Sequence, residues 1–88
     1  MPPSSETTAT LPPNVDLHAR PAAHFVRTAL GFRSKIAVAA GEREADAKSL
    51  LSVLALGAKG GTELRLTATG EDADAALTAM RERVATLS

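Results

Sequence analysis

A chain of 88 residues, 44% hydrophobic and 2% aromatic, makes one small domain whose core is Leu, Val, Ile and Ala around Phe25 and Phe32. Ten basic and ten acidic residues cancel, without a block of like charge and without Trp or Tyr; this argues against binding nucleic acid, anionic membranes or stacked bases. Cysteine is absent, which excludes disulfides, thiolate catalysis and zinc–thiolate sites, and no apolar run approaches the ~20 residues of a membrane helix.

Residues 1–5 are small and polar with two prolines, lack the charged and apolar regions of a signal peptide, and read as a flexible N-terminus ahead of a domain over 6–88. Glu6 to Leu11 is Thr-rich and alternates weakly, predicting a short strand that Pro12 and Pro13 end, because proline cannot donate to a ladder. Asn14 to Leu17 is loop. From Ala19 to Leu30 the period is helical, with Ala22, Phe25, Val26 and Ala29 on one face. Pro21 is tolerated only in a first turn, so the helix starts near Ala19 and His18 falls at the N-cap. Gly31 suits the C′ position, with Phe32 folding back on the helix.

Lys35 to Ala40 alternates, Gly41-Glu42 is a hairpin turn, and Arg43 to Ala47 returns as a polar edge strand. Ser49 is a plausible N-cap for a short helix over Leu50 to Leu56, stopped by Gly57. Gly60-Gly61 is a turn. Thr62 to Thr69 alternates cleanly, with Leu64, Leu66 and Ala68 inward. Beyond Gly70, the carboxylates of Glu71, Asp72 and Asp74 open a last helix and Arg81 and Arg83 close it, an order that complements the dipole. Its apolar face is Ala73, Leu77, Met80, Val84 and Leu87. The order βαββαβα predicts an α+β open-faced sandwich, an antiparallel sheet with helices on one face.

Chemistry concentrates at His18. A lone histidine at a helix start is usually a plain surface residue, and Arg20 or Pro21 alone says little. Together they define a site. The N–H groups of Ala19 and Arg20 have no intrahelical partner, the dipole makes that end positive, and the Arg20 guanidinium offers a fork for phosphate oxygens. A neutral imidazole there has a lone pair free to attack phosphorus. His24, six residues on at ~100° per residue, points well away from His18, so a two-histidine metal site is not expected and His24 reads as an exposed surface histidine. Glu42, Glu44 and Asp46 share one strand face and read as solvated. A phosphate on Ser49 would be tolerated by the helix end behind it. Val53 and Leu56 are spaced to be the buried side of their helix, which leaves Leu50, Leu51 and Leu54 as a partly exposed patch suited to docking.

Leu17-His18-Ala19-Arg20-Pro21-Ala22-Ala23, Phe25-Val26, Ala47-Lys48-Ser49-Leu50-Leu51-Ser52-Val53-Leu54, Leu56-Gly57 and Gly70-Glu71-Asp72-Ala73 resemble, in order and spacing, the HPr family. These are the histidine-containing phosphocarriers of the phosphoenolpyruvate-dependent sugar phosphotransferase system. The resemblance implies four antiparallel strands under three helices. It implies a cytoplasmic carrier, not an independent enzyme, that needs no cofactor or metal. It implies that His18 takes a phosphoryl group on Nδ1 from enzyme I and gives it to enzyme IIA components, with Arg20 stabilising the group. Ser49 then holds the position that a dedicated serine kinase/phosphorylase modifies in many Gram-positive bacteria. Leu50, Leu51 and Leu54 fall on the partner surface, with Arg27 as a basic residue beside it. A monomer is expected. Two alternatives stay open: a regulatory relay, nitrogen- or dihydroxyacetone-related, and an interaction module without phosphochemistry.

The chain departs from the family pattern at Asp16, where glycine usually precedes the Leu-His pair. A carboxylate beside the imidazole would repel a phosphate and alter the loop. Leu50-Leu51 also replaces the Ile-Met common in kinase-regulated members, and the first strand is poor in large apolar residues.

Overall fold

Alternation along β4 (Glu63–Thr69) builds the middle of the sheet: Leu64, Leu66 and Ala68 are fully buried while Glu63, Arg65 and Thr69 are exposed. The computed structural model describes residues 3–88. Its other elements are β1 (Ser4–Thr10), α1 (Ala19–Leu30), β2 (Lys35–Ala40), β3 (Arg43–Asp46), α2 (Leu50–Ala55) and α3 (Ala73–Thr86). The sheet is antiparallel throughout in the order β1-β4-β2-β3. Leu66 lies between Thr7 and Val38, and Val38 pairs onward with Ala45. This is the expected βαββαβα open-faced sandwich, with the charged β3 at one edge. Phe25 on α1 and Met80 and Val84 on α3 close over Ile36, Val38, Leu64 and Leu66, and all seven are at most 1% exposed.

β1 begins at Ser4, two residues before the alternation predicted. Ser4 and Ser5, assigned from sequence to the flexible N-terminus, pair with Thr69 and Ala68; Met1 and Pro2 lie outside the described residues. The ladder uses backbone groups, so it extends through residues with no apolar signal, and the Ser5 hydroxyl adds a hydrogen bond to the Asp74 carboxylate. The strand also ends one residue early. Leu11 leaves it but stays buried, its N–H donating to the Thr62 carbonyl at 2.9 Å. Gly31 does not take the left-handed turn expected of a C′ glycine: its φ is −75°.

Asp72 is the N-cap of α3, but its carboxylate does not cap its own helix. It accepts from the Arg33 N–H at 2.9 Å, from the Ser34 N–H at 2.8 Å and from the Ser34 hydroxyl, and so ties the α1–β2 connection to α3. Gly70 (φ +148°) makes room for this, because a Cβ there would lie 2.6 Å from Ser34 Oγ. The Ser34 hydroxyl, then the Arg33 N–H, hold the Asp72 carboxyl down at about 2, against an ordinary 3.8. A carboxyl whose folded pKa is lowered stabilises fully above its unfolded value, and that contribution is lost as pH falls from 3.8 toward about 2. Asp72→Asn is therefore expected to melt lower than the parent at neutral pH and to lose less melting temperature on acidification through that window. A variant whose melting falls with acid as steeply as the parent's would contradict this role.

Candidate functional site

The first turn of α1 presents His18 outward. His18 is the N-cap, extended at φ −121° and ψ −174°, and its carbonyl accepts the Ala22 N–H at 3.0 Å. An N-cap side chain usually turns back to a helix N–H, but the His18 ring makes no such bond and is exposed. The His18 side chain therefore leaves the first N–H groups of the helix, those of Ala19 and Arg20, uncapped. Pro21, which has no N–H to leave unpaired, is buried and anchors the turn with Ala22 and Phe25. The Arg20 side chain is exposed beside them. The site lies on the open surface; a hollow of about 190 Å³ lies elsewhere, between Lys35–Ala37 of β2 and Glu44–Asp46 of β3. An exposed imidazole can be reached by the active site of another protein, which a buried one cannot.

His24 is half-buried on α1, not fully exposed as expected, and its carbonyl accepts from the Thr28 hydroxyl at 3.1 Å. Among the described residues no three His, Asp or Glu side chains converge as metal ligands.

α2 packs beside α1. Ser49 caps it, Oγ accepting from the Ser52 N–H at 3.3 Å. Val53 is fully buried and Leu56 nearly so, whereas Leu50 is 41% and Leu51 80% exposed, with Leu54 half-buried against the core. Arg27 is exposed in the last turn of α1. Leu30 in the same turn, 60% exposed, is an apolar surface residue that the sequence reading passed over. It belongs to the helical run but lies off the buried face, a distinction that its position near the helix end blurs.

Asp16 is where expectation and structure part. Its Oδ1 accepts from the Gly60 N–H at 2.8 Å and no hydrogen bond joins it to the His18 ring; the ring was the expected neighbour because of adjacency in sequence. The carboxylate instead serves the α2–β4 connection, 44 residues away in the chain.

Residues 5–86 match the family model described as the PTS HPr component phosphorylation site. Over 71 residues the chain is 49% identical to the phosphocarrier protein HPr of Streptomyces coelicolor, covering 78% of this chain and 75% of that one. It is 46% identical over 65 residues to the multiphosphoryl transfer protein of Xanthomonas campestris pv. campestris, covering 74% of this chain but only 8% of that much longer one. The crystal structure of HPr-C-His from Thermoanaerobacter tengcongensis superposes with a TM-score of 0.88 at 35% identity, covering 93% of this chain and 92% of the other.

Proposed function

We propose, because the chain belongs to the HPr family of phosphotransferase-system phosphocarriers, that His18 accepts a phosphoryl group from enzyme I and passes it to enzyme IIA components in the cytoplasm. The protein is a carrier and not an enzyme in its own right. One observation carries the assignment: an exposed imidazole, free of any capping bond, at the positive end of a 12-residue helix. The Nδ1 lone pair attacks phosphorus as the bond between phosphorus and enzyme I breaks, and the reverse exchange delivers the group to enzyme IIA. Ala19 and Arg20 N–H groups and the Arg20 fork receive the phosphoryl oxygens. This grip is modest and open to solvent, as a relay requires, since tight binding would stall the next transfer. No helix of the described residues is long and apolar enough to cross a membrane.

Incubation with enzyme I and phosphoenolpyruvate, read by intact mass, should add one phosphoryl group, and enzyme IIA should remove it. A mass unchanged by active enzyme I would overturn the reading.

The same proposal makes Leu50, Leu51 and Leu54 the apolar centre of the docking surface, with Arg20 and Arg27 at its rim. It makes Ser49 the residue on which a serine kinase would act, placing charge beside that surface. Leu51→Ala removes the most exposed of the three leucines, so KM for phosphorylation by enzyme I is expected to rise about tenfold with kcat and melting temperature unchanged. Ser49→Asp keeps a capping oxygen and should raise KM less, by repulsion from an acidic partner. Parental kinetics in both variants would remove α2 from the docking surface.

A further inference from the structure

We propose that Asp16 and Gly60 form a latch that positions His18 for phosphoryl acceptance, so that Asp16 is a positioning residue of the carrier. The inference rests on His18 being the acceptor. Four hydrogen bonds stitch Leu11–Leu17 to Ala58–Thr62: Leu11 N–H to Thr62 O at 2.9 Å, Gly61 N–H to Leu11 O at 3.1 Å, Leu17 N–H to Ala58 O at 2.8 Å, and Gly60 N–H to Asp16 Oδ1 at 2.8 Å. Three of them join backbone to backbone. The fourth is made by a side chain, it is charge-assisted, and it lies two residues before His18.

Both partners suit that bond. A Cβ built on Gly60 would stand 2.2 Å from the Pro13 carbonyl oxygen and 2.7 Å from its carbon, so only glycine lets the α2–β4 connection lie this close to the Pro12-Pro13 bend. Asp16 then works at both ends. Its carboxylate holds Gly60, and its own carbonyl accepts the His18 N–H at 2.9 Å in a three-residue turn. That turn occupies the His18 N–H and leaves those of Ala19 and Arg20 for the phosphoryl oxygens. Leu17, 1% exposed, pins the turn to the core between the two. A ring set on such a base is held near its reactive orientation before the donor arrives, and small displacements of reacting groups are costly in rate. The latch also engages the carboxylate with a neutral donor of the neighbouring loop.

The prediction separates positioning from docking. Asp16→Ala and Gly60→Ala should each lower kcat for phosphorylation by enzyme I about tenfold while KM stays at its parental value. Asp16→Asn keeps an oxygen for the Gly60 N–H and should recover most of the rate. The double variant Asp16→Ala/Gly60→Ala should be no slower than Gly60→Ala alone, because a Cβ driven against the Pro13 carbonyl displaces the connection and already breaks the Asp16 bond. In the unmodified protein, NMR should detect a scalar coupling across the hydrogen bond from Gly60 nitrogen to the Asp16 carboxyl carbon; this reading does not depend on any variant folding. Absence of that coupling, or an Asp16→Ala protein phosphorylated at the parental kcat, would overturn the latch. If His18→Ala, run in parallel, takes no label, the acceptor assignment stands independently of that result; persistent label there would overturn the acceptor, and the latch with it.

Discussion

His18→Ala is expected to abolish phosphorylation by enzyme I, while His24→Ala remains a substrate. The parental adduct should be lost in acid and survive in base, as a phosphoramidate does and a phosphoserine does not. The contrast between the two histidines follows from position. His18 stands outside the first turn with its ring unbonded, whereas His24 sits half-buried mid-helix, where no free N–H groups converge. Since the ring makes no capping bond, its removal should leave stability within about 0.5 kcal/mol of the parent, and loss of labelling cannot be ascribed to unfolding. Arg20→Ala should slow transfer about tenfold without abolishing it, because the helix end still offers two N–H groups and the dipole after the guanidinium is gone. Arg20→Lys, with charge but no planar fork, should fall between. Stoichiometric label on His18→Ala, or a parental rate for Arg20→Ala, would dismantle the respective assignment.

What could be foreseen in this chain was local. Pro21 permits one helix start only, and the spacing of Ala22, Phe25, Val26 and Ala29 fixes which face turns inward; α1 begins and ends at the residues those rules indicate. Strict alternation makes β4 legible for the same reason, as does the division of α2 into buried Val53 and exposed Leu51. The misses have a shared cause. Ser4 and Ser5 join β1 through a ladder to residues more than sixty positions away, which asks nothing of their side chains. Asp72 reads as one carboxylate of a helix-opening cluster, yet its partners Arg33 and Ser34 lie 39 and 38 residues upstream. Asp16 is adjacent to the Leu-His pair in sequence but is committed to Gly60 in space. Periodicity reports which face of an element is buried; it carries no signal for a single polar contact closed by the tertiary fold.

Phe25→Ala is expected to cause the largest loss of stability of any single truncation in the core, about 3–5 kcal/mol, a large share of the roughly 5–15 kcal/mol typical of a domain. Phe25 is the one aromatic side chain with no exposure at all, in a core otherwise assembled from aliphatic residues and alanines that cannot expand to fill the void. It lies on α1 one turn beyond Pro21, so the helix that it fastens is the helix whose first turn carries His18. The consequence for function is indirect and can be distinguished from damage to the site. Urea unfolding should show a lower midpoint with an unchanged slope, the mark of lost stability and not of an altered unfolding transition. Phosphorylation by enzyme I should fall in proportion to the folded fraction as temperature rises, and return to the parental rate where the variant is fully folded. Phe25→Leu, which leaves a smaller void, should cost less and shift that temperature upward. A Phe25→Ala protein within about 1 kcal/mol of the parent would mean that α1 is held chiefly by its neighbours Ala22, Val26 and Ala29. A rate that stays low in the fully folded variant would mean instead that Phe25 sets the pitch of the first turn directly, and that the alignment of His18 depends on packing two turns deep into the helix.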